Sequence, residues 1–211
     1  NTECVDFGLL NRNIDNGFIN IRRVPIVTIF GDKPLSYYRE PLRSELYNLV
    51  QPMNESPGHD YDYDFVYDKG VTDGKFAYDV AGTLSGNWVW EEGILPVGWY
   101  DNESALSFAR HHFYPDYIII GVGKHRTAYV LKNEDNPIKP EEVTAESGIV
   151  TYKLYYWGTA INGVLPEDTP NSVYPGKMIV QVLSDTRIRV EFFGDLLTPS
   201  EFTSASLYYI R

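Results

Sequence analysis

The stretch Leu84-Ser85-Gly86-Asn87-Trp88-Val89-Trp90 decides how this sequence folds. Along an extended chain successive side chains alternate between two faces, so Leu84, Trp88 and Trp90 share one face. Two indoles on one face of a strand demand a deep apolar layer beneath them. That layer is the interior of a barrel or sandwich, because a lone sheet with both faces in water cannot bury rings of that size.

Downstream of this stretch the chain reads as strand after strand. Runs of β-branched and aromatic residues predict strands at Phe76–Glu91, Asp116–Gly123, Thr127–Lys132, Ile149–Trp157, Lys177–Ser184, Arg187–Phe193 and Ser204–Arg211. Gly123–Arg126 and Ser184-Asp185-Thr186 read as hairpin turns. Asn102-Glu103-Ser104 predicts the cap of a short helix running through Arg110. The expectation is a mainly β chain, an antiparallel barrel or sandwich over residues 76–211, with one or two short helices.

Upstream, Pro41 is placed as a first-turn proline, and Leu42, Leu46, Leu49 and Val50 fall on one helical stripe that Pro52 ends. Residues 34–75 then read as a helix plus an acidic linker. Residues 1–33 read as a lead-in or the remnant of an upstream domain, with strand-like runs at Phe18–Ile21 and Ile26–Phe30 and turn signals at Asn11–Asn13 and Asp15–Gly17.

Composition narrows the function. With 18 Lys+Arg against 29 Asp+Glu, the net charge is −11, which argues against a nucleic-acid partner, since counterion release needs a basic face. At 43% hydrophobic residues the 211-residue chain has ample material for a core, yet its longest apolar runs, such as Tyr117–Ile120, are far short of the ~20 residues of a membrane-spanning helix. The single cysteine, Cys4, excludes an intrachain disulfide. The first residue is Asn1, which predicts that a preceding segment has been removed. Sequons at Asn54-Glu55-Ser56 and Asn102-Glu103-Ser104 lie in polar, turn-rich stretches where a glycan is tolerated. Together with 17 tyrosines and an acidic surface they predict an extracellular or cell-surface protein.

Several groupings bear on chemistry. Asp60, Asp62, Asp64 and Asp68 alternate with aromatics and form the best candidate for a calcium site, although Phe65 and Val71 stand where an EF-hand loop needs Gly and Glu. His111-His112 with Asp116 and His125 is the one histidine grouping that could meet at a zinc. Glu91-Glu92 reads as a charged turn, and Gly121-Val122-Gly123-Lys124 as a hairpin with no helix behind it to hold a phosphate. No arrangement of nucleophile and base stands out, so the reading leans against an enzyme. The tyrosines and tryptophans, with Trp88, Trp90, Trp99, Tyr155 and Trp157 foremost, suit a small apolar or glycan ligand.

Gly86-Asn87-Trp88 also resembles the Gly-x-Trp of the first strand of lipocalin-like barrels, in which the Trp closes the bottom. A second resemblance runs through Pro34-Leu35-Ser36-Tyr37-Tyr38-Arg39-Glu40-Pro41-Leu42, Tyr78–Trp88, Val150-Thr151-Tyr152-Lys153-Leu154 and Val190-Glu191-Phe192-Phe193. These stretches are similar to the C-terminal region of uncharacterised secreted prokaryotic proteins that carry an upstream domain resembling lysostaphin-type peptidases. The resemblance implies a secreted, non-catalytic β-rich module and brings no catalytic motif onto this chain. The expected function is a secreted β-barrel module binding a small apolar or glycan ligand. Two alternatives stand beside it. One is a structural subunit of an extracellular assembly, pairing through strand edges such as Tyr117–Val122 and Leu207–Ile210 or through an N-terminal arm. The other is a metal-dependent hydrolase using Asp60, Asp62 or His112.

Overall fold

A computed structural model of the chain describes residues 9–20, 30–49, 77–93, 103–110, 118–125, 127–131, 135–136, 138–156, 176–197 and 200–211. It divides into two compact units, Asn1–Asn16 with Ile26–Phe76, and Gly17–Pro25 with Ala77–Arg211.

In the first unit β1 (Leu9–Leu10) pairs antiparallel with β2 (Gly31–Asp32). Asp32 organises this corner. Its carboxylate accepts from the Tyr37 hydroxyl at 2.5 Å, the Asn11 side-chain amide at 3.0 Å and the Lys33 backbone N–H at 2.7 Å. Those donors, Tyr37 first, hold its pKa below the usual carboxylate value. The expected helix forms as α1 (Leu42–Leu49), just after Pro41. Leu42, the first residue of its apolar stripe, is left exposed.

The second unit is a closed antiparallel barrel of eight strands: β3 (Gly86–Trp90), β4 (Ala105–Arg110), β5 (Ile118–Val122), β6 (Thr127–Leu131), β7 (Val150–Tyr156), β8 (Gly176–Ser184), β9 (Arg187–Phe193) and β10 (Leu207–Ile210). Each strand pairs with the next in sequence, and β10 pairs back onto β3 through Tyr209 opposite Trp90 and Ile210 opposite Val89. The barrel alternative is therefore the one realised, and the sandwich is not.

Two local expectations are corrected. Ala105–Arg110 is the strand β4, not a helix. Leu106 and Phe108 are buried two apart, a strand period, and the segment is bonded on one side to β3 and on the other to β5. The strand read over Phe76–Glu91 is confined to Gly86–Trp90, because the chain turns at residues 81–82, where Gly82 has φ +76°.

Gly86 shows why a glycine precedes the tryptophan by two positions. Its φ is +117°, and a Cβ there would meet the Asp79 Cα at 2.6 Å. That close approach lets the Asp79 carboxylate accept from the Asn87 backbone N–H at 2.7 Å and from the Ile19 backbone N–H at 2.9 Å.

The barrel interior is filled. Trp88, Phe108, Tyr152 and Tyr209 are at most 1% exposed and join Leu106, Ile120, Leu131, Leu154, Met178, Val180 and Ile188 in one buried cluster. Eight strands enclose just enough room for such a packing. Closure also removes the strand edges expected at Tyr117–Val122 and Leu207–Ile210: β5 is bonded to β4 and β6, and β10 to β9 and β3. Among the described residues no helix is long and apolar enough to cross a membrane.

Candidate functional site

In an antiparallel meander the strand ends alternate, which gives the barrel two distinct ends. One holds the start of β3, the β6–β7 and β8–β9 connections and the finish of β10. The other holds the finish of β3, the β5–β6 turn, the finish of β9 and the start of β10. We refer to them as the base and the mouth.

The base is a plug. Trp88 donates its indole N–H to the Leu84 carbonyl at 2.9 Å, and Leu84 N–H donates to the Val143 carbonyl at 2.9 Å. Leu84 and Val143 are themselves fully buried. Arg211 lies with its guanidinium carbon 4.0 Å from the centre of the Trp88 ring. Its donors go to the carbonyls of Ser85 (2.8 Å), Thr83 (2.9 Å), Val80 (3.0 Å) and Asp185 (3.0 Å). Burial lowers its pKa from the ordinary arginine value, and the charges of Asp79 and Asp185 oppose that shift. Arg211 is only 5% exposed, and with four of its five N–H donors spent on backbone carbonyls it is a fixed structural clasp.

The mouth differs in kind. Trp90 and Phe192, inward-facing near the ends of β3 and β9, and Leu207, the first residue of β10, are packed against the core yet remain partly exposed. Tyr129 on β6 stacks with Phe192 at a centroid distance of 6.1 Å, and the His125 ring stands edge-on to Phe192 at 4.8 Å. His125 Nδ1 is 3.1 Å from the Tyr129 hydroxyl, which donates to it in the Nε2–H tautomer of the neutral ring. Burial, then the neighbouring Lys124 charge, lowers the His125 pKa below its ordinary value and favours the neutral ring. Lys124 lies in the β5–β6 turn with its ammonium 5.0 Å from the centre of the Trp90 ring. The β9–β10 connection opens at the same end. It is tied down by Glu191, which accepts from Thr203 N–H at 2.7 Å, and it presents Leu197 at 95% exposure.

The sequence-predicted ligand residues therefore separate. Trp88 and Trp90 share the barrel interior, one buried at the base and the other partly exposed at the mouth. Tyr155 does not join them. It follows the inward Leu154, so it points outward, where its hydroxyl donates to Asp135 and Lys153 stands over its ring at 5.5 Å. Trp99 and Trp157 lie outside the described residues, as do Asp60, Asp62, Asp64 and Asp68, the sequons Asn54 and Asn102, and His111, His112 and Asp116. Among the described residues no three of His, Cys, Asp and Glu stand together where they could hold a metal ion. Glu91 is engaged by Arg187 at 2.8 Å. Two residues of the mouth, Tyr129 and Phe192, are named by no candidate site in the sequence, and Lys124 falls in the Gly121-Val122-Gly123-Lys124 run, which reads only as a hairpin. The signal available for Phe192 and Tyr129 was strand alternation, which puts each inward near a strand end.

Comparison with family models, with curated proteins and with solved structures gives no match.

Proposed function

We propose that this chain is a non-catalytic binding module that takes a small, largely apolar ligand at the barrel mouth and acts in an extracellular setting. The observation that carries the reading is the layer of Trp90, Phe192 and Leu207. Large apolar side chains stay partly exposed at one end of a barrel whose interior below them is fully buried. Because the interior is packed, the ligand lies across the mouth and does not thread into the barrel. The extracellular setting is supported by the two sequons and by the resemblance to secreted prokaryotic proteins.

The test uses N-phenylnaphthylamine, an uncharged dye whose emission rises in apolar sites. The chain is expected to bind it, with energy transfer from tryptophan, and Trp90→Ala is expected to weaken binding at least about tenfold, as loss of an aromatic anchor does. Undiminished binding by the Trp90→Ala chain would move the site away from the mouth and end this reading.

A second reading, a subunit of an extracellular assembly, draws on Leu196 and Leu197, which are exposed on the β9–β10 connection. Sedimentation over a range of concentrations tests it. A monomer throughout counts against it, and an oligomer that Leu197→Glu disperses supports it.

A further inference from the structure

The apolar mouth carries a cation whose hydrogen-bonding capacity is unspent among the described residues. Five other described cations are engaged: Arg43 by Glu40, Arg110 by Glu141, Lys153 by Asp135, Arg187 by Glu91, and Arg211 by four carbonyls. Lys124 is exposed, and no carboxylate among the described residues pairs with it. What holds it is the Trp90 ring, 5.0 Å from its ammonium. A cation over an indole is attracted by the ring quadrupole, and among the described residues none takes its three ammonium N–H donors. In a chain with 29 acidic against 18 basic residues, a lysine with no carboxylate partner among the described residues, beside partly exposed rings, runs against the prevailing charge.

The shape of the floor sets the other half of the ligand. Trp90, Phe192, Tyr129 and His125 offer ring surface, and beneath them Trp88, Tyr152 and Tyr209 fill the interior. A long flexible chain has no channel to follow there, whereas a flat ring system can lie on the aromatic layer. Resting on the reading of the mouth as a ligand site, we infer that it selects planar ring compounds bearing one anionic group, with the rings on Trp90 and Phe192 and the anion on the Lys124 ammonium.

Two dyes that differ by a single charge test this on the full chain: anilinonaphthalene sulfonate and its uncharged parent, N-phenylnaphthylamine. The sulfonate is expected to bind about fivefold more tightly, the scale of one partly exposed ion pair. Lys124→Met is expected to bring the two dyes within about twofold of each other, Lys124→Arg to keep the preference, and added salt to shrink it. Equal binding of the two dyes, or a sulfonate preference that survives Lys124→Met, overturns the inference while leaving the apolar mouth standing. Failure of both dyes to bind, or undiminished binding of both by the Trp90→Ala chain, overturns the mouth as a ligand site and this inference with it.

Discussion

Base and mouth are built from the same parts. Each centres on a tryptophan of β3, and each tryptophan carries a cation on its ring, Arg211 at 4.0 Å from Trp88 and Lys124 at 5.0 Å from Trp90. What separates them is the fate of the cation's donors. Arg211 donates to four backbone carbonyls and is buried with its indole, so the pair is part of the wall. Lys124 donates to no carboxylate among the described residues and stays in water, over an indole that is itself partly exposed. A cation on an indole is thus no mark of a binding site. The test is whether its hydrogen-bonding capacity has already been used by the fold.

The contrast predicts a large difference in stability. Trp88→Ala is expected to cost ~3–5 kcal/mol in urea unfolding, the range for deleting a buried aromatic, and Trp90→Ala under about half of that. Equal losses would make the mouth as structural as the base. Arg211→Met is expected to cost ~2–3 kcal/mol, because it strips a charged donor from buried carbonyls while roughly conserving side-chain length. Gly86→Ala should fall in a similar range, ~2–4 kcal/mol, since φ is +117° and the new Cβ would meet the Asp79 backbone.

A smaller effect has the opposite sign. The Tyr152 hydroxyl is buried, and among the described residues it has no hydrogen-bond partner. Burial, with the charges of Glu141 and Glu142 adding to it, pushes its pKa well up and keeps it neutral. Tyr152→Phe should therefore stabilise the barrel by ~1 kcal/mol, read as a higher urea midpoint with an unchanged slope. A loss of stability would show that the hydroxyl has a partner after all.

The smallest effects are in pH. Burial raises the Tyr209 pKa to about 12, so between pH 10 and 12 the unfolded tyrosine ionises first and stability falls as pH rises. Tyr209→Phe should flatten that alkaline limb. At the mouth the His125 pKa is depressed, so the unfolded imidazole takes its proton first, and stability drops as pH falls below about 6.5. His125→Gln should remove that part of the acid slope. An identical slope in both chains would mean that the ring feels no burial.

The alternation of Leu84, Trp88 and Trp90 made a shared interior face legible, and the runs that became β5 through β10 were legible from their residue types and turns. The strand β4 was not. Small residues at Ala105, Ser107 and Ala109 beside Leu106 and Phe108, behind a capping signal at Asn102-Glu103-Ser104, suit a helix as well as a strand. Pairing with β3 and β5 decides between them, and no local window contains that pairing. Arg211 illustrates the same limit. Nothing around it announces a clasp, since its partners at Val80, Thr83 and Ser85 come together with it only when the barrel closes. Lys124 lies in a run whose residues spell a hairpin turn, and its meaning depends on a ring from a different strand.

Closure also bears on how the chain reaches this state. Seven of the eight barrel pairings join strands adjacent in sequence, and the eighth joins β10 to β3. Each hairpin can form by closing a local loop, whereas the β10–β3 pairing brings together the two ends of the whole meander and bears the largest ordering entropy. The salt bridge from Arg187 to Glu91 and the guanidinium of Arg211 both span that seam. They act as its latch, and amide exchange under native conditions should show β3 and β10 opening together, ahead of the hairpin of β8 and β9.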